Sequence, residues 1–169
     1  MRKRVFLIVV CLIGLLSQNV AFGRLGESRE KCIERYGSIS GEKQDGLFTV
    51  LSMPNEAGPA MTFRIWLHKG VCKAIEYSSR KKITEDMVNE LLEKNSEGHK
   101  WEAIFNDPVA RNKQGYDSGY WKRSDGGDAG WSWYALIIKS SDFEKLVETG
   151  KQEEKKQKDA AKKKMMDGL

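Results

Sequence analysis

Residues 61–78 read MTFRIWLH-KG-VCKAIEYS, and this stretch leaves the backbone little choice of local structure. Met61, Phe63, Ile65 and Leu67 alternate with Thr62, Arg64, Trp66 and His68, the two-residue period of a strand with one face buried. Lys69-Gly70 then supplies a two-residue turn, with glycine accepting a positive φ. Val71 to Ser78 returns antiparallel. A sheet is therefore the organising element, and whatever helices the chain forms must cover it.

Two helices are signalled on either side of this hairpin. Ser28 is an N-cap with Glu30 in the first turn, Cys32, Ile33 and Tyr36 form a narrow apolar stripe, and Gly37 closes the helix. Thr84 caps the second. Ile83 is placed to staple onto Val88, while Met87, Val88, Leu91 and Leu92 make the buried face and Asn95–Gly98 stop it. The segment 38–46 is polar and reads as a loop. Leu47–Met53 is a strand ended by the prolines at 54 and 59, and Trp101–Phe105 is a short strand before a polar loop over 106–119. A last hairpin pairs Tyr120–Ser124 with Trp131–Lys139 around the turn-forming residues 125–130. Ser141 then caps a helix that turns Phe143, Leu146 and Val147 inward. No internal repeat is evident. These elements define an α+β domain over residues 24–150, with helices packed on one face of a curved, mainly antiparallel sheet. Residues 151–169 form a Lys/Glu-rich solvated tail, helical or disordered.

The first 23 residues have the parts of a cleavable signal peptide: Arg2, Lys3 and Arg4, the apolar run Val5–Leu16, and an Ala21-Phe22-Gly23 end. The run is about 12 residues, whereas a spanning helix needs about 20. Lipid attachment at Cys11 would cut it in half. The expectation is export, to a periplasmic or extracellular location, with cleavage after Gly23 and no transmembrane segment in the mature chain. Removing the leader leaves 26 basic and 24 acidic residues, and residues 24–150 alone carry 19 and 20. A near-neutral domain excludes a nucleic-acid footprint. Cys32 and Cys72 remain in an oxidising compartment. The alternatives there are a disulfide closing a loop of about 40 residues, worth roughly 4 kcal/mol, or two buried thiols.

Catalytic constellations are weak. His68 and Cys72 lie across a turn from each other and do not pair, and two histidines with two cysteines do not make a zinc set. Asp125 and Asp128 fit a hairpin turn better than a calcium loop. No metal or other cofactor is implied. The densest feature is aromatic: Tyr116, Tyr120, Trp121, Trp131, Trp133 and Tyr134, with Arg123 among them. Cross-strand stacking accounts for some of these. Trp121, Arg123, Trp131 and Trp133 are the candidate surface for an envelope protein, a peptide or a glycan. The expected role is a non-enzymatic binding or interaction module of the cell envelope. The alternative is a hydrolase of an envelope polymer or glycan using Asp125, Asp128 or Glu102.

The chain from Leu25 to Gly37, Ile83-Thr84-Glu85, Leu91–Asn95, Trp101, and Trp121 with Arg123–Gly126 resemble exported bacterial proteins of uncharacterised role. Those proteins share an LGE…C…RYG helix and a W.RSDG hairpin. The resemblance covers most of the mature domain and implies no activity. In layout alone the chain is also similar to small outer-membrane assembly lipoproteins, although it lacks their lipid-attachment cysteine.

Overall fold

The structure, a computed structural model, describes residues 24–54, 61–105 and 118–167. The signal-peptide reading of residues 1–23, the loop after Pro54 and nearly all of the 106–119 loop therefore lie outside the described residues. Helices α1 (Arg29–Tyr36), α2 (Glu85–Lys94) and α3 (Phe143–Asp167) accompany eight strands: β1 (Gly41–Asp45), β2 (Phe48–Pro54), β3 (Met61–His68), β4 (Val71–Ser79), β5 (Trp101–Phe105), β6 (Ser118–Arg123), β7 (Asp128–Ser132) and β8 (Ala135–Lys139). All pairings are antiparallel, in the order β1-β2-β3-β4-β8-β7-β6-β5. The architecture is α+β.

The order is the same from either edge. A helix followed by a four-stranded meander occurs twice, and the two units meet at β4–β8, where Glu76 faces Ile137 in the middle of the ladder. No sequence repeat announces this duplication. What the units share is placement: Cys32 and Val88, each four residues after its helix cap, are both fully buried.

The local signals act as their chemistry requires. The Ser28 and Thr84 hydroxyls accept from the amides of Lys31 and Met87, and the Lys69-Gly70 turn has both residues at positive φ. Backbone bonds tie the start of α1 to the β3–β4 turn: Gly26 N donates to Cys72 O, Cys72 N to Glu27 O and Arg29 N to Gly70 O, each at 2.9 Å. One sheet face then carries the main core. Leu51, Ile65, Ile75, Ile138, Ala129 and Trp121 are successive cross-strand neighbours, and α1 and α2 press Cys32, Tyr36, Val88, Leu91 and Leu92 onto that face. Each buried Leu, Ile or Val contributes about 1.5–3 kcal/mol relative to exposure.

A short chain of polar groups runs beneath the two helices. Asn95, fully buried at the end of α2, donates to Tyr77 Oη (3.3 Å) and Leu91 O (2.9 Å) and accepts from Leu25 N (3.3 Å). Tyr77 Oη in turn bonds Tyr36 Oη at 3.3 Å. Burial pushes both phenols well above their ordinary pKa, so both stay neutral.

Three elements differ from the sequence reading. Residues 41–45 are an edge strand, not loop. GEKQD is almost wholly exposed, so no buried face marks it, and only its ladder with β2 makes it a strand. The last hairpin is a three-stranded meander, because Trp133-Tyr134 forms a tight turn between β7 and β8 without Gly or Pro. Finally, α3 packs on the opposite sheet face from α1 and α2. Its Phe143 lies 5.0 Å from Phe48 and 6.3 Å from Trp66, over Val50 and Ala74. It leaves the sheet beside Gly46 and Leu47 and continues as a helix whose residues 151–166 are all exposed.

Candidate functional site

The aromatic surface expected from the sequence is dismantled by the fold. Trp121 and Trp131 are 5% and 4% exposed and lie 6.4 Å apart in the main core, beneath the helices. They sit on the inward face of β6 and β7 because they follow the same two-residue period as Ala129 and Leu136. Gly119 is required beside them, since a Cβ there would overlap the Trp121 ring. Among the described residues, the Trp131 indole N–H has no hydrogen-bond partner. Trp133 lies in the β7–β8 turn, half-buried, edge-on to Tyr134 and with Lys82 Nζ 5.3 Å from its ring. These tryptophans do not form one wall open to a ligand.

Arg123 is a structural clamp rather than a ligand contact. Its side chain is 2% exposed. It donates two bonds of 2.7 Å to Asp125 and one of 2.8 Å to Asn95 O, pairs with Glu97 at 2.8 Å, and stacks 5.6 Å from the Trp101 ring. One guanidinium thus joins β6, its following turn, β5 and the end of α2. The RSDG run has a local cause: Asp125 also accepts from Gly127 N, and Gly126 takes φ +96°.

Held by Arg123, Asp125 has its pKa lowered to about 2. It is ionised at neutral pH, the wrong state for the general acid of a hydrolase. Asp128 is buried between Lys122 and Lys139, at 3.5 and 3.7 Å, and Glu102 is exposed on β5. His68 pairs with Val71 in the ladder and its Nδ1 lies 3.1 Å from Leu47 O, so it is not turned toward Cys72.

Cys32 and Cys72 are free thiols, so the disulfide is not formed in the structure. Both are fully buried in one cluster, and the Cys72 thiol donates to Ala74 O at 3.7 Å. The mutual influence of the two thiols, joined by burial, raises the Cys72 pKa, and it lowers that of Cys32 against the effect of burial.

Among the described residues, the surface that the fold leaves without a packed helix is the far side of the sheet. Beyond the reach of α3, Arg64, Glu76, Ile137, Gly130 and Tyr120 follow one another across β3, β4, β8, β7 and β6. The adjacent row supplies Lys139, Asp128 and Lys122. Arg64 and Lys122 are exposed and the rest of these side chains half-buried, apart from Asp128. Lys122 Nζ lies 5.4 Å from the Tyr120 ring, and Arg64 pairs with Glu76 at 3.2 Å. Gly130 keeps the centre low: a Cβ there would meet only Ile137 Cγ2, at 3.8 Å. Arg64 was legible as an outward position of the alternating hairpin. Ile137 was not, because β8 is apolar on both sides. A cleft of about 250 Å³ adjoins this face beside Arg64, Thr62 and Ser78. A larger one, of about 1040 Å³, opens elsewhere, between the start of α1 and the end of α2, with Arg24, Lys31, Glu27, Glu90 and Glu93 among its lining.

Comparison with known proteins finds no matching family model, no matching curated protein and no matching solved structure.

Proposed function

We propose that the chain is exported to the cell envelope and acts there by binding a protein partner on the bare face of its sheet. The observation that carries this reading is the row Arg64–Glu76–Ile137–Gly130–Tyr120 across five strands, on which no helix packs among the described residues. An apolar centre with an aromatic and an arginine, ringed by charges of both signs, is the composition of a protein–protein contact. Charges of both signs, Arg64, Lys122 and Lys139 against Glu76 and Asp128, nearly cancel, so the face suits a folded protein surface better than a polyanion. The export half rests on the leader at residues 1–23 and on the resemblance of the LGE…C…RYG and W.RSDG motifs to exported bacterial proteins.

In that compartment the Cys32 and Cys72 thiols close into a disulfide. The pair gives two electrons and two protons to the disulfide of an exchanging oxidoreductase, which leaves as a dithiol. Thiol titration of the denatured, unreduced envelope protein then reads none; two titrating thiols would refute the bridge.

The binding reading is tested with a photo-crosslinking amino acid placed at Tyr120 and, as a control, at exposed Asn89 on α2. The expected result is one discrete crosslinked protein from position 120 only, lost in Gly130→Arg at an unchanged melting temperature. Equal crosslinking from both positions, or none from 120, would overturn it.

A further inference from the structure

The C-terminal part of α3 sorts its charges in a way that the linear sequence conceals. Along the chain, residues 151–167 mix seven lysines with four acids. On a helix at about 100° per residue, Lys151, Lys155, Lys156, Lys158, Lys162 and Lys163 fall within an arc of about 160°. Asp159 is the one acid inside this arc. Glu153, Glu154 and Asp167 lie outside it, with Lys164. One long side of the helix is therefore strongly cationic. Four of its lysines, at 151, 155, 158 and 162, follow the i, i+4, i+7, i+11 spacing of a continuous stripe.

The direction of this side is fixed by the packing of the first two turns. Phe143, Leu146 and Val147 face the sheet. Continued along the helix, their direction passes near Glu154 and Ala161, roughly opposite the middle of the lysine arc. Lys151 borders a cleft of about 210 Å³ beside Trp66, Phe143 and Val147, and from Lys155 onward the cationic side points away from the body. Residues 151–166 are exposed throughout, and Glu154 is close enough to pair with Lys158, at 4.0 Å. At the tip, Met165 and Met166 are 76% and 66% exposed, and Met166 falls within the arc.

We infer that α3 lays this side on an anionic lipid surface, its lysines on the headgroup phosphates and Met166 entering the headgroup boundary. A basic stripe and an inserted apolar side chain are the two elements such adhesion needs. A soluble polyanion would use the lysines but has no place for a flanking methionine pair. The surface is separate from the bare sheet face, and the inference stands or falls independently of the partner proposed there.

The experiment is co-sedimentation of the mature chain with vesicles. One set is phosphatidylcholine alone and the other includes phosphatidylglycerol. The expected result is salt-sensitive binding to the anionic set only. Each lysine contributes about fivefold, so the fourfold variant Lys151→Gln, Lys155→Gln, Lys158→Gln and Lys162→Gln loses about two to three orders of magnitude in affinity, with helicity by circular dichroism retained. The double variant Lys155→Glu with Glu153→Lys keeps the net charge and moves it to the other side; it too should weaken binding. Binding to both vesicle sets alike, binding of polyphosphate but not of vesicles, or undiminished binding by either variant would overturn the inference.

Discussion

The two α-β4 units share a topology and solve its burial problem with different chemistry. In the first, β2, β3 and β4 fill the helix-covered face with Leu51, Met53, Phe63, Ile65, Ile75 and Tyr77, and the opposite face with Phe48, Val50, Trp66 and Ala74. At that end both faces are apolar and need cover, which α3 supplies to the second; Arg64 and Glu76 continue the same face beyond it. In the other unit, the inward face alternates bulk with absence: Trp121 and Trp131 beside Gly119 and Ala129. Its outward face carries Tyr120, Lys122, Asp128 and Ser132 and needs no helix. Its closure toward α2 depends on the buried guanidinium of Arg123, where the first unit has, among the described residues, partly exposed pairs such as Arg29–Glu42 at 2.9 Å. A common strand order thus fixes which faces exist. Side-chain chemistry decides which face is sealed and which is left to solvent or a partner.

The sharpest way to break the comparison is to remove the two arginines in turn. Arg123→Met strands Glu97, Asp125 and the Asn95 carbonyl without their donor and should cost about 3–5 kcal/mol. Arg29→Ala breaks an exposed pair and should cost less than about 1 kcal/mol. Midpoints of urea unfolding measure both, and equal shifts would show that Arg123 is not the clamp described.

Glycine substitution probes the two packings next. Gly119→Ala puts a methyl into the space of the Trp121 ring and should cost about 1–3 kcal/mol. Gly41→Ala on β1 meets only Ser52 Cβ at 3.8 Å and should be near neutral by the same assay. A tolerated Gly119→Ala would mean that Trp121 has another place to go.

The smallest effect is a pH dependence. Asp125 has a pKa of about 2 in the folded chain, against about 3.9 for an unperturbed aspartate. Its stabilising contribution is complete above about pH 4 and is lost as pH falls through 2. Asp125→Asn should therefore flatten the acid limb of stability between those values. It would not abolish that limb, because Asp142 and Glu42 are also shifted down, the first by Lys73 and Ser140 against the cost of burial, the second by Arg29. Identical acid limbs in the parent and the variant would remove Asp125 from the account.

Legibility in the sequence followed the range of the interactions. The Ser28 and Thr84 caps, the β3–β4 hairpin and the buried Ile83 and Val88 at the start of α2 depend on residues within a few positions of one another, and each was readable; the cap expected at Ser141 is not formed, since Phe143 N bonds Ser140 O instead. Strand β1 was hidden because an edge strand with both sides in water has no burial period. The β7–β8 turn was hidden because two aromatic residues occupy it. The candidate surface shows the same divide. Tryptophans near one another in sequence look like a platform until alternation and the helix above them place Trp121 and Trp131 inside. Ile137 faces outward on a strand that is apolar on both sides, and only the limited reach of α3 among the described helices leaves it half-buried.

By itself, then, the sequence determined the α+β class, the near-neutral domain and the cationic excess of the tail, all of which follow from composition and short-range periodicity. Only the tertiary structure decided that two units share one sheet, that Arg123 is buried and that the lysines of α3 fall on one outward side. Those outcomes depend on which strands become neighbours and on which way a helix is turned by its first packed residues. Contacts between positions tens of residues apart set both, and no local pattern encodes them.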